Sequence, residues 1–216
     1  MNHRDTKKLT TTAMLCTLAY AAAALGRVPV VLFLRYDPKD VIIVIGGLIF
    51  GPANALAITL IVSLVQMFTT SSTGIWGCLM NVISSCSFAC TAACIYRKKR
   101  RLSGAVLGLA CGWGCQTAVM MLWNYLIAPI YMGYPREQIV PLLLTAFLPF
   151  NLVKGGMNAA FTVLLYKPVI TALRRSGLVS PTQNAGKARP NPGVILAALF
   201  LIAACTLCIL TLNDIL

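Results

Sequence analysis

The chain has 216 residues, 58% hydrophobic and only 11% charged, with 18 Lys and Arg against 5 Asp and Glu. Such a composition belongs to an integral membrane protein of one domain, and the net charge of +13 needs no nucleic acid to explain it, because the basic residues cluster in short loops between apolar spans. His3 and the acids Asp5, Asp37, Asp40, Glu137 and Asp214 all fall outside those spans, which leaves no ligands for a zinc hydrolase and no mid-span carboxylate for a proton- or sodium-coupled carrier.

Arg4, Lys7 and Lys8 precede an apolar run from Leu9 to Leu25. Its small-residue end has the look of a signal-peptide cleavage region, but further spans follow, so it is read as a retained first helix. The row Ala19, Ala21, Ala22, Ala23 and Ala24 would let another helix approach closely. Residues 27–39 are too apolar for a free loop and are expected to fold back over the membrane face, where irregular backbone must meet protein or a cavity. Asp40 is expected to cap a short helix ending at Phe50, and Gly51-Pro52 to break it. A third helix follows from Ala53 to Phe68, then a polar turn from Thr69 to Gly74.

The fourth span runs from Trp76 to Tyr96, with Asn81 one turn inside, and Arg97-Lys98-Lys99-Arg100-Arg101 ends it. The fifth spans Ser103 to Ala128, with Trp123 and Asn124 near its far end. In the connection 132–148, the apolar half from Pro141 to Leu148 is expected to lie in the membrane interface. The sixth helix, Pro149 to Pro168, has 20 residues, about 30 Å and one bilayer core. Residues 176–193 read as a basic cytoplasmic linker, and Val194 to Leu212 as a seventh span. The expected organisation is a six-helix binding domain over 1–175, the linker, and an extra transmembrane helix within 194–216. Of the nine cysteines, Cys86, Cys90 and Cys94 stack at i, i+4, as do Cys111 and Cys115. With no His or acid beside them they read as small packing residues, and no disulfide framework is implied.

With a cytoplasmic N-terminus, the inner side holds thirteen basic residues: Arg4, Lys7, Lys8, the five at 97–101, Lys167, Arg174, Arg175, Lys187 and Arg189. The outer side holds four, Arg27, Arg35, Lys39 and Arg136. This asymmetry orients the chain with its N-terminus inside.

Lys154 is the one basic residue within a run that reads as membrane-buried. It is costly there unless it faces a polar partner or an aqueous cavity; the plain alternative is a lysine that snorkels to the interface. Asn151, Lys154 and Asn158 follow i, i+3, i+7 spacing and share one helix face. The loop 27–39, Asn81, Asn124, Asn151 and Lys154 all fall toward the outer face, so four separate elements place polar groups at one depth, as a binding site for an external solute would. With one buried cation and no basic cluster, an anionic phosphate ester is expected to bind less well than a neutral ligand. Replacing Lys154 by Met is expected to cost little stability, because an unpaired buried charge is itself unfavourable.

Four stretches carry a resemblance: Leu34-Arg-Tyr-Asp37-Pro-Lys-Asp40-Val41, Gly47-Leu-Ile-Phe50-Gly51-Pro52, Gly77-Cys-Leu-Met-Asn81 and Pro149-Phe-Asn151-Leu-Val-Lys154-Gly155. Over about residues 9–175 the chain resembles the substrate-binding S component of energy-coupling factor vitamin transporters, the riboflavin-specific RibU type above all. The resemblance implies an all-α bundle of six transmembrane helices in the bacterial cell membrane, with the vitamin held near the outer face under the first loop. It implies that Asn124, Asn151 and Lys154 hydrogen-bond the flavin ring and ribityl chain, and that Asn81 and residues Leu34 to Asp40, Tyr36 and Asp37 included, complete the pocket. It implies that alanines of the first helix, Ala19 and Ala23 among Ala19, Ala21, Ala22 and Ala23, dock on a shared transmembrane coupling subunit. Two separate ATPase subunits would supply the energy, since this chain has no Walker-type phosphate loop. No cofactor and no metal are implied; riboflavin is cargo. The chain departs from the pattern in its apolar seventh segment and in Ile42, where a proline is expected.

The competing readings are an S component for thiamine, folate or biotin, a membrane enzyme on lipid or isoprenoid substrates, and a structural subunit without a ligand. The enzyme reading lacks the acid cluster or histidine that such chemistry generally needs.

Overall fold

The computed structural model describes residues 3–31, 34–70, 74–178 and 192–215. Eight helices and one β-hairpin follow each other: α1 (His3–Leu25), β1 (Val28–Val31), β2 (Leu34–Tyr36), α2 (Lys39–Phe50), α3 (Pro52–Thr69), α4 (Gly74–Lys98), α5 (Leu102–Met132), α6 (Arg136–Leu142), α7 (Leu148–Arg175) and α8 (Pro192–Ile215). Among the described residues, six helical runs are long and apolar enough to cross a membrane: those of α1, α3, α4, α5, α6 with α7, and α8. Helix α2 has 12 residues, about 18 Å, and is buried nearly all round. An apolar helix without a polar face belongs inside a bundle, and α2 is the centre of this one. Its residues Ile43, Val44 and Leu48 pack with Leu15 of α1, Ile58 of α3 and Phe88 of α4. Together α1–α5 and α7 make the six-helix bundle, and α8 is the additional helix on its flank.

Small residues set the closest helix pair. A Cβ on Gly108 or Gly112 of α5 would fall 2.7 Å from the carbonyl oxygen of Ala92 or Phe88 on α4. Glycines four apart thus let two backbones touch, the usual way helices pack where the solvent is itself apolar.

The structure revises several expected boundaries. Residues 28–31 and 34–36 pair as antiparallel strands, Val28 opposite Tyr36, so their backbone groups find partners in a sheet. Proline ends neither long helix: Pro129 lies inside α5, which stops at Gly133 with φ +70°, and Pro168 lies inside α7. Proline is tolerated in membrane helices where neighbours or solvent serve the freed carbonyl. The segment 141–148, expected to lie in the interface, is helical. α6 passes through a π-helical turn, Leu143–Phe147, into α7, and Ile139, Ala146 and Phe147 are buried with Phe150 and Val153. Within the expected linker 176–193, residues 179–191 lie outside the described residues. The polar turn at 69–74 is described only at Thr69, Thr70 and Gly74.

Candidate functional site

A cavity of about 430 Å³ lies at one end of the bundle. It is bounded by the ends of chain elements that meet there: residue 27 after α1, β2, the last turns of α3, the first turns of α4, the last turns of α5 and the first turns of α7. The opposite end carries the basic run after α4 and Arg174 and Arg175 at the end of α7. There Lys7 of α1 donates to the Gly177 carbonyl oxygen at 3.1 Å.

The apolar lining is soft and aromatic: Met67, Met80 and Met120 with Trp76, Trp123, Tyr131 and Phe150. Methionines adapt to irregular shapes, and flat aromatic rings suit a planar ligand. Two asparagines supply acceptors. The Asn124 amide nitrogen donates to the Met120 carbonyl and the Asn151 nitrogen to the Phe147 carbonyl, each at 2.8 Å. Each amide is thereby oriented, and its side-chain oxygen is left buried without a partner among the described residues. A buried acceptor without a donor is costly, so a ligand N–H or O–H arriving there would be well received.

Lys154 supplies the donor. It is 6% exposed, and its ammonium lies 3.1 Å from Asp40 Oδ2 and donates to Ser84 Oγ at 3.0 Å. Asp40, 1% exposed, also accepts from the Ser85 hydroxyl and from the Asn158 amide. One expectation falls here. Asp40 does not cap α2, which starts at Lys39 with no side-chain cap; its carboxylate turns into the bundle instead. Asp40 is thus a buried acid on a helix that is not among the candidate spans. α2 is buried from its first turn, so the charges at its start are carried inside with it.

A second charged group lies at the rim. Lys39, 0% exposed, pairs with Asp37 at 3.1 Å and donates to Gln66 Oε1, while the Gln66 amide donates to Asp37 at 3.2 Å. Burial alone would raise the Asp37 carboxyl, but the Lys39 ammonium and the Gln66 amide outweigh it and hold it below its usual range. Arg27 reaches the same carboxylate at 3.9 Å and donates to the Thr70 carbonyl and hydroxyl, each at 3.1 Å.

Of the residues singled out in the sequence, Lys154, Asn151, Asn124, Asn81, Leu34 and Asp37 all line the cavity. Tyr36 and Asp40 do not; they stand behind its wall, with the Tyr36 hydroxyl donating to Asn158 Oδ1 at 2.9 Å. Ala19 and Ala23 are each 0% exposed, and Ala19 packs beside Leu15, Ile43 and Val44 in the core. These two alanines face into the bundle and cannot form an outward docking surface. The exposed side of α1 carries Thr10, Ala13 and Thr17 with Met14 and Leu18.

The sequence reading missed Ser63, Gln66 and Ser84, which also line the cavity, as do Arg27 and Arg35 of the first loop. A signal existed for the first three. Ser63, Gln66 and Thr70 repeat on α3 the i, i+3, i+7 spacing of α7, and Ser84 lies one turn beyond Asn81. Arg27, half-buried, and Arg35, exposed, add cations at the cavity's rim, while Lys154 is the one buried cation in its lining among the described residues.

A family model described as the substrate-specific component of ECF transporters matches residues 7–166. The riboflavin transporter RibU of Staphylococcus aureus (strain TCH60) is 24% identical over 184 residues, which covers 81% of this chain and 96% of that protein. The riboflavin transporter FmnP of Bacillus subtilis (strain 168) is 28% identical over 175 residues, covering 74% and 91%. Among solved structures, the S component of a bacterial ECF transporter superposes with a TM-score of 0.69 at 25% identity, covering 79% of this chain and 99% of that one. Helix α8 lies beyond the residues that the family model matches.

Proposed function

This chain belongs to the ECF transporter substrate-specific components, and we propose that within that family it is the riboflavin-capturing subunit of an importer. It is a multi-pass membrane protein and a transport subunit; in such systems ATP hydrolysis lies with separate subunits. The observation that carries the riboflavin reading is the cavity's complement of groups. Asn124 and Asn151 offer two carbonyl oxygens without a partner among the described residues, Lys154 offers an ammonium, and methionine and aromatic side chains form much of the wall. A flavin ring is planar and apolar on its faces, with carbonyl and ring-nitrogen acceptors and one N–H along its edges, and the ribityl chain adds hydroxyls. The volume falls in the range of small-molecule pockets. The two riboflavin transporters among its relatives support the same choice.

The cavity end is assigned to the outer face from the basic asymmetry, which puts the N-terminus in the cytoplasm. Labelling a cysteine introduced at Thr73, but not one at Ser180, from outside intact cells is the expected result. For the coupling subunit, the exposed row Ala13 and Thr17 on α1 takes the place of Ala19 and Ala23. Ala13→Trp or Thr17→Trp should lower uptake and leave binding by the isolated subunit intact.

The ligand test is the absorption spectrum of the purified protein, followed by quenching of flavin fluorescence on titration. A co-purifying flavin spectrum, or saturable quenching by riboflavin, is expected. Saturable binding of thiamine, folate or biotin with no response to riboflavin would overturn the assignment.

A further inference from the structure

Three of the groups behind the cavity wall form one connected path. On β2, Leu34 and Tyr36 share a strand face; Leu34 lines the cavity, and Tyr36, 3% exposed, carries its hydroxyl past the wall to Asn158 Oδ1 at 2.9 Å. The amide nitrogen of Asn158 donates to Asp40 Oδ2 at 3.3 Å. The same carboxylate oxygen lies 3.1 Å from the Lys154 ammonium, which lines the cavity. The path joins the hairpin, α7 and α2, and every member is buried. Neither Tyr36, Asn158 nor Asp40 lines the cavity.

Both ends of the Asn158 amide are engaged: its oxygen accepts from Tyr36 and its nitrogen donates to Asp40 of the ion pair. A shift of β2 therefore withdraws a donor from Asn158, and a shift of the Lys154 ammonium alters the carboxylate that Asn158 holds. Buried networks of this kind act as units, because each unmade bond leaves a polar group unpaired. We propose that Asp40, Asn158 and Tyr36 are positioning residues that bind the β2 wall to the ligand-facing Lys154, so that a ligand held by Lys154 is also held in by β2. The inference rests on the reading of the cavity as the riboflavin site, and it adds to it residues that never touch the ligand.

The test uses the full chain in detergent and three variants: Tyr36→Phe, which deletes only the hydroxyl; the paired replacement Asp40→Asn with Lys154→Met, which removes both charges together; and the triple combination. Riboflavin release by wild type and variants is followed by fluorescence. Tyr36→Phe should speed release about twofold to tenfold, the range for one hydrogen bond. In the paired background the same substitution should change release by less than about twofold, since little coupling is left to lose. Equal effects of Tyr36→Phe in both backgrounds would mean that it acts by packing alone and would overturn the proposal, as would no effect in wild type. A second readout needs no ligand. Amide hydrogen exchange across Leu34–Tyr36 should be faster in Tyr36→Phe and in the paired variant than in wild type, and unchanged exchange in both would overturn the coupling. If wild type fails to bind riboflavin, the functional reading fails, and the exchange measurement still decides this one.

Discussion

Two carboxylate–ammonium pairs are anchored on one four-residue stretch, Asp37 to Asp40, one of them reaching across to Lys154, and they present opposite charges to the cavity. In the deeper pair, Asp40 is hidden and its partner Lys154 lines the cavity. At the rim Lys39 is hidden and its partner Asp37 lines the cavity. The backups differ as well. Asp37 keeps Arg27 at 3.9 Å as a second cation, whereas Lys154 is the one cation paired with Asp40 among the described residues. The lesson is that a buried charge at a binding site is set by its hidden partner. A molecule in the cavity would meet a lysine paired with one carboxylate at one depth and an aspartate beside two cations at the other.

The largest effect should come from breaking the deeper pair by one side only. Lys154→Met leaves Asp40 buried with hydrogen bonds but no cation, and removal of one partner of a buried pair costs about 3–5 kcal/mol. This reverses the expectation drawn from sequence, where the lysine had no partner and its loss was expected to cost little. Thermal or denaturant unfolding in detergent should show a marked fall, and Lys154→Met combined with Asp40→Asn should regain most of it. A single variant as stable as wild type would mean that the pair does not hold the fold. In the refolded double variant, riboflavin affinity should remain about tenfold to a hundredfold below wild type, because a charged donor contributes about 1.5–3 kcal/mol and each factor of ten is about 1.4 kcal/mol.

Breaking the rim pair is the matching experiment. Lys39→Met leaves Asp37 with the Gln66 amide and with Arg27. Its stability loss should be about 1–3 kcal/mol, the cost of an under-satisfied polar group, and smaller than that of Lys154→Met in the same assay. Equal losses would erase the distinction between the pairs. Asn151→Ala should have a smaller effect on binding than the Lys154→Met/Asp40→Asn variant. Loss of one neutral acceptor should weaken riboflavin about twofold to tenfold, and non-additively with the Lys154→Met/Asp40→Asn variant, since both sites meet one ligand.

How far the sequence carried can be read from particular residues. The inward face of α7 was legible, because Asn151, Lys154 and Asn158 stand out against an apolar background and their spacing fixes a common side. The inward face of α1 was not. With alanines at 19 and 21–24, every side of the helix looks equally small there, and only the packed bundle decides that Ala19 and Ala23 point inward. The partner of Lys154 was also hidden. Asp40 precedes it by more than a hundred residues and begins a helix too short to read as a span, so nothing local marks it as buried. Gln66 was legible in principle from its period on α3, and the hairpin was not, since Pro29 weakens the strand pattern of residues 28–31.

The smallest expected effect lies at the rim, and it separates charge from shape. Arg35 sits on the face of β2 opposite Leu34 and Tyr36; it is exposed, and it also lines the cavity mouth. Among the described residues no salt bridge to it is found, whereas Arg27 and Lys39 share Asp37 and Lys154 has Asp40. Arg35 is thus the rim cation with the most capacity left for an added anion. Riboflavin carries no charge, and its 5′-phosphate carries about −1.5 to −2. An exposed ion pair contributes up to about 1 kcal/mol, a factor of about five. Arg35→Gln should therefore weaken binding of the phosphate by up to about fivefold and leave riboflavin within about twofold, with the difference shrinking as salt is raised, because exposed charges are screened. Equal weakening of both ligands, indifferent to salt, would place Arg35 among the groups that shape the cavity and remove it from those that discriminate by charge.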